Sequence, residues 1–87
     1  MKRAERIGAN CRERREARKM SRAALAGRCL LSEDELAEIE RGEIEPTAMA
    51  LIKIEDALAM PRGSSCRGVR WDQRSLRFLV EPPPDER

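Results

Sequence analysis

The strongest constraint on this chain is a succession of short apolar clusters at helical spacing, each fenced by its own start or stop signal. Ile7 and Cys11 lie four residues apart, with Arg14, Arg15 and Arg18 continuing near the same stripe, which predicts a first helix over residues 4–19. Ser21 can cap a second helix with a body from Arg22 to Cys29 and Leu25 and Ala26 as its buried pair. Ser32 followed three residues later by Glu35 is a capping box. It opens a third helix whose first turn, Glu33, Asp34 and Glu35, suits the positive end of the macrodipole, and Gly42 is its stop. Pro46 stands where a fourth helix can begin, and Ala48, Leu51, Ile54, Ala57 and Leu58 carry it over residues 47–59. Helices this short cannot stand alone and must share one core.

Beyond residue 61 the pattern changes. Residues 62–68 are turn-like, with room for a single helical turn at 64–67. Val69 and Trp71 then alternate with Arg70, and Leu76, Phe78 and Val80 alternate with Arg77 and Leu79. This period of two, split by Asp72-Gln73-Arg74-Ser75, predicts a β-hairpin. Trp71 and Phe78 supply all of the aromatic content, for core packing or for a dimer seam. Glu81 and the three prolines after it should end the ladder and leave 81–87 as a flexible tail. At 87 residues there is room for one core. The expected organisation is a helical domain over 1–68, a hairpin over 69–80 packed on it or at a dimer seam, and the tail.

Charge is abundant, at 39% of residues, but segregated. Residues 1–31 carry a surplus of seven positive charges, residues 32–60 a surplus of seven negative ones, and the remainder two positive. Such blocks either pair within one fold or face different partners. The basic first helix is either a phosphate-binding strip or a solvated face. No apolar run reaches the length of a membrane span, and the N-terminus is too charged for a signal peptide. A cytoplasmic protein, bacterial or phage-encoded, is expected, with no membrane partner.

The residue inventory argues against an enzyme. Histidine is absent, which removes the commonest general base, and no nucleophile–base pair, paired carboxylate or phosphate loop is visible. Cys11, Cys29 and Cys66 are widely spaced and odd in number, so they read as buried thiols rather than metal ligands. No metal or cofactor is expected.

Two capped helices joined by about three residues form a helix-turn-helix candidate. The stretch SRAALAGRCLLSEDELAEIERGEIEPTAMALIKIEDAL resembles the Cro and phage-repressor type helix-turn-helix family, also called the XRE family. The carriers are Leu25-Ala26, Ser32, Leu36, Ile39-Glu40-Arg41-Gly42, Pro46, and Leu51-Ile52-Lys53-Ile54 with Ala57-Leu58. The likeness runs from about residue 7 to 60, and the trailing hairpin resembles a strand pair that some members append.

The resemblance implies a mainly α fold: a compact four- or five-helix bundle with a short C-terminal β-hairpin. It implies a repressor-like transcriptional regulator that occupies an operator in double-stranded DNA as a homodimer, with the third helix in the major groove. The base-facing positions are Glu33, Asp34, Ala37 and Glu38. Phosphate contacts fall to Arg22 and Arg41, which flank the motif, with Arg12 and Arg15 able to converge at the start of the second helix. Arg15 and Glu40 occupy the positions of a structural ion pair between the first and third helices. Leu76, Phe78, Leu79 and Val80 are the expected dimer seam.

Two departures bear on that reading. Glu33, Asp34, Glu38, Glu43 and Glu45 are acidic where the family is usually polar or basic, and DNA is a polyanion. Carboxylates can accept from cytosine N4, so one or two could read sequence. The alternative is a protein-interaction module whose acidic third helix binds a basic partner. Leu30 stands at the turn position usually held by glycine, where a positive φ costs a side chain about 1 kcal/mol. That turn is therefore expected to be reshaped.

Overall fold

A computed structural model describes residues 1–82. Four helices, α1 (Arg3–Ala17), α2 (Arg22–Cys29), α3 (Glu33–Glu40) and α4 (Ala48–Ala57), are followed by a single 3₁₀ turn (Ser64–Cys66) and two strands, β1 (Val69–Asp72) and β2 (Arg77–Val80). The expected mainly helical fold with a C-terminal hairpin is what forms. Among the described residues no helix is long and apolar enough to cross a membrane.

Three starts are fixed by a local side-chain oxygen. Ser21 accepts from the Ala24 N–H at 3.1 Å, and Ser32 from the Glu35 N–H at 3.0 Å while Glu35 reaches back to the Ser32 N–H at 3.4 Å. Thr47 does the same for α4, accepting from the Ala50 N–H at 3.0 Å, so the cap is Thr47 and the helix begins one residue later than expected. The helix ends are less conventional. Lys19, Leu30 and Ala59 all close helices at positive φ without being glycine. The turn at Leu30 is thus not reshaped: Leu30 adopts φ 57° and ψ 34°. Its side chain is 85% exposed, and the Leu31 N–H closes on the Ala26 carbonyl at 3.0 Å, so the local strain is offset by a bonded cap.

Ile7, Cys11, Leu25, Ala26, Cys29, Leu36, Ile39, Ile54 and Leu58 form one core. Two of the thiols, Cys11 and Cys29, sit wholly inside it as small hydrophobes. Burial above all, with Glu40 nearby, pushes the Cys11 thiol up to about 12. Helix α1 crosses α3 at Gly8, where a β-carbon would collide with the Ile39 and Glu40 carbonyls. The loop after α3 also lies directly on α1, since a β-carbon on Gly42, at φ 73°, would meet the Glu5 Cα at 2.6 Å.

The hairpin pairs Val69 with Val80, Arg70 with Leu79, Trp71 with Phe78 and Asp72 with Arg77. Two expectations change here. Leu76 is not in the strand: it closes the turn at φ 53°, with its side chain in solvent. The ladder does not end at Val80, because the Glu81 N–H donates to the Gly68 carbonyl at 2.8 Å. Residues 83–87 of the expected tail lie outside the described residues. The turn is built by Asp72, whose carboxylate accepts from the Ser75 hydroxyl and from the Arg74 and Ser75 N–H groups, and these bonds hold it below its ordinary pKa.

Replacing Leu30 with glycine should remove the positive-φ strain and raise stability by on the order of 0.5–1 kcal/mol. Thermal unfolding reads this as a raised Tm, and an unchanged or lowered Tm would show the strain to be absent. Gly8→Ala should lower the Tm sharply by separating α1 from α3.

Candidate nucleic-acid interface

The centre of the motif is a carboxylate at the C-terminal end of α3. Glu40 is buried, and Arg15 of α1 grips it with two bonds, Nε to Oε2 at 2.7 Å and Nη2 to Oε1 at 3.0 Å. The third arm of the same guanidinium, Nη1, donates to the Met20 carbonyl at 2.9 Å, locking the corner between α1 and α2. These bonds raise the Arg15 pKa above its already high value. Arg22, the first residue of α2, adds a second cation at 3.3 Å from Glu40 Oε1. One anion therefore fixes three elements against one another, and the expected structural pair gains a third member.

This arrangement redistributes the expected phosphate contacts. Arg15 is spent on Glu40 and buried, so it does not converge on a groove with its neighbours. Arg12 points elsewhere and lies 3.6 Å from Glu16, one turn along its own helix. Arg22 remains half-exposed at the start of α2. Arg41 follows α3 and is exposed, with a two-pronged bond to Glu43 at 2.9 Å for each prong. That bond holds the Glu43 carboxyl below its ordinary pKa and raises that of Arg41.

The expected base-facing residues separate as well. Glu33 and Asp34 are exposed on the first turn of α3 and Glu38 is partly exposed one turn on. Ala37 is only 8% exposed, so it packs inward rather than offering a contact. The acidic burden is smaller than the sequence suggests. Glu43 is neutralised by Arg41, and Glu45 by Arg3 from the first residue of α1.

Several polar residues that position the site escaped the sequence reading. The Asn10 amide donates to the carbonyls of Ser65 and Arg67 at 2.9 and 2.8 Å, and the Arg6 Nε donates to Arg67 at 3.0 Å. Glu55 is buried and accepts from the Ser65 hydroxyl at 2.6 Å and from the Gly63 and Ser65 N–H groups. Arg14 donates to the Leu58 and Ala59 carbonyls at the end of α4. Together these tie residues 58–68 to the bundle. A polar residue on an otherwise apolar stripe, as at Asn10 and Glu55, is the one sequence signal that could have found them.

Seen from outside, α2 and α3 form two capped helices joined by a tight turn, with the N-terminus of α3 exposed. A family defined as helix-turn-helix matches residues 12–63, well over half of the chain. The chain belongs to this helix-turn-helix family. Among solved structures, the helix-turn-helix chain is similar to the clp gene regulator ClgR from Corynebacterium glutamicum, with 26% identity and a TM-score of 0.72. That match covers 75% of this chain and 69% of ClgR. It is also similar to FeII HppE, at 26% identity and a TM-score of 0.70, and to apo-HppE, at 27% and 0.69. These matches cover 98% and 99% of this chain, the hairpin included, but 44% and 47% of HppE, so the chain spans less than half of that protein. No curated protein matches the chain. Among the described residues no group of three or more His, Cys, Asp or Glu is placed to hold a metal ion.

The Glu40 cluster makes an asymmetric prediction. Breaking a buried pair costs roughly 3–5 kcal/mol. Glu40→Ala leaves two arginines without their anion, whereas Arg15→Ala leaves Glu40 beside Arg22. Glu40→Ala should therefore lower stability more than Arg15→Ala, and the double variant should be less than additive. Denaturant titration of the three variants checks this, and equal, additive losses would contradict it.

Proposed function

We propose that this chain is a sequence-specific regulator of transcription that occupies an operator in double-stranded DNA as a homodimer. The observation that carries the reading is the α2–turn–α3 unit, locked by Glu40 with the N-terminus of α3 outward and two exposed arginines, Arg22 and Arg41, on its flanks. This is the form in which a helix is offered to the major groove, with flanking cations for phosphates. Membership of the helix-turn-helix family and likeness to the gene regulator ClgR support it. The action is occupancy without a chemical step, in the cytoplasm, and the lack of histidine accords with that.

The carboxylates of α3 then serve selectivity. Glu33, Asp34 and Glu38 accept hydrogen bonds but donate none, which favours cytosine N4 and disfavours the acceptor edge of guanine. Their repulsion from phosphates lowers affinity for every sequence alike, so binding should lean on Arg22 and Arg41. A second reading is favoured by one observation: the exposed first turns of α3 hold only carboxylates as charged groups, which suits a basic protein partner in place of DNA.

Titration against genomic duplex fragments over a range of salt distinguishes the two. Arg22→Ala should weaken binding across all sequences and flatten the slope of log K against log salt by about 1. Its fold should persist, because Arg15 keeps both bonds to Glu40. Glu38→Gln should shift preference from cytosine toward adenine at one position. Failure to bind any duplex at low salt would favour the basic protein partner.

A further inference from the structure

Affinity for DNA comes largely from cations placed on phosphates, and the helix-turn-helix of this chain is poor in unpaired ones. The two arginines that flank α3 each hold a carboxylate, Arg22 at 3.3 Å from Glu40 and Arg41 bonded to Glu43. Among the described residues, the arginines in ion pairs are Arg3, Arg12, Arg15, Arg22, Arg41 and Arg62. Of the others, Arg6 and Arg14 donate to backbone carbonyls. Arg18 and Arg28 stand at the C-terminal ends of α1 and α2, where the macrodipole favours a cation. That leaves Arg67 at the foot of the hairpin and Arg70, Arg74 and Arg77 on it. Residues 69–80 hold one acid, Asp72, against these three arginines. Its oxygens are bonded within the turn, to the Ser75 hydroxyl and to the Arg74 and Ser75 N–H groups.

The register places these arginines on one surface. Residues directly opposite in an antiparallel pair share a face, and faces alternate along each strand. Val69, Trp71, Phe78 and Val80 therefore share the face turned to the helices, where Val69 packs on the core and Phe78 lies under Arg3. Arg70 and Arg77 fall on the opposite face, each exposed. They are diagonal neighbours, about 7–8 Å apart at the backbone, a spacing comparable to that of neighbouring phosphates along a strand. Arg74 stands exposed on the turn, its N–H held by Asp72 at 3.3 Å. Trp71 and Phe78, directly opposite each other and edge to face at 5.2 Å, brace the ribbon from beneath.

The hairpin is also held beside the motif. Arg3 lies 4.4 Å from the Phe78 ring centre and pairs with Glu45 in the loop that leaves α3. We propose that the outer face and turn of the hairpin are a second DNA contact, in which Arg70, Arg74 and Arg77 take phosphates of the duplex beyond the base pairs met by α3. The proposal rests on the DNA reading above and says where the affinity that an acidic α3 withholds is recovered. A guanidinium suits a phosphate, which it can meet with two parallel bonds. Such contacts fix position and carry no sequence information, so discrimination between bases stays with α3.

The test uses the full chain and mixed-sequence duplexes of about one and about three helical turns, titrated over a range of salt. Changing Arg70→Gln, Arg74→Gln and Arg77→Gln together should weaken binding to the three-turn duplex on the order of tenfold or more at low salt, and flatten log K against log salt by up to about 0.9 for each arginine. Binding to the one-turn duplex should change far less. Arg22→Ala, in contrast, should weaken both. Replacing the same three arginines with lysine keeps the charge and should restore most of the slope, which separates lost phosphate contacts from a hairpin that fails to form. Side-chain NMR of the unaltered chain needs no substitution: the Nε–H signals of Arg70, Arg74 and Arg77 should shift on addition of the three-turn duplex. If the unaltered chain binds duplex while the glutamine variant matches it in affinity and slope, the hairpin contact is overturned and the DNA reading stands. Equal losses on both duplex lengths would overturn the placement beyond the base pairs met by α3. Absence of all duplex binding would overturn both, and Nε–H signals that ignore duplex but shift with polyglutamate would give the strip to an acidic protein instead.

Discussion

Glu40 is the group on which the arrangement of this protein depends. It sits in the last turn of α3, at the negative end of that helix, and it is buried. Both conditions disfavour a carboxylate. What makes it tolerable is the pair of guanidinium groups around it, one from α1 and one from α2. Because a buried ion pair repays its desolvation only with good geometry, the three elements have little freedom to reorient. Gly8 completes the constraint by letting α1 come close enough for Arg15 to reach. The position of α3, and of whatever it reads, follows from this clamp more than from the packing of Leu36 and Ile39 alone.

The opposed charge blocks resolve in favour of pairing within the fold. Arg3 meets Glu45, Arg15 and Arg22 meet Glu40, and in the opposite chain direction Arg62 meets Asp56 at 3.0 Å and Glu55 at 3.5 Å. The basic head and acidic counter-head are therefore not two separate surfaces. The exposed pairs add little to stability, since both partners remain hydrated. Their consequence is for the surface field: Glu43 and Glu45 are neutralised, and the acidity beside the motif contracts to the outward side of α3. What remains acidic is the outward side of α3 itself, with Glu33, Asp34, Glu35 and Glu38, between Arg22 and Arg41, each of which already pairs with a carboxylate.

Arg3 also connects parts of the molecule that are remote in sequence. It lies against the Phe78 ring on one side and pairs with Glu45 on the other. The hairpin and the loop after α3 therefore share one residue at the start of α1. Gly42, pressed on Glu5 of the same turn, makes that contact tight.

The sequence by itself determined the elements. Ser21, Ser32 and Glu35 reach backbone groups three residues away, and the apolar stripes repeat at a spacing that depends only on helix geometry. Such features are complete within one turn of chain and so are legible without the fold. The family pattern extended this to the Arg15–Glu40 pair. The tertiary structure alone decided which charge each cation meets. Arg12, Arg22 and Arg41 look alike in sequence, yet one pairs along its own helix, one is held by a buried carboxylate, and one is gripped by its neighbour two residues on. Ala37, the buried bonds of Asn10 and Glu55, and the departure of Leu76 from its strand belong to the same class. Leu30 kept a left-handed turn that propensity disfavours, because two helices had already fixed the path between them. Local preferences select helix or strand, but a side chain's partner depends on distances between elements, and those exist only once the core has closed.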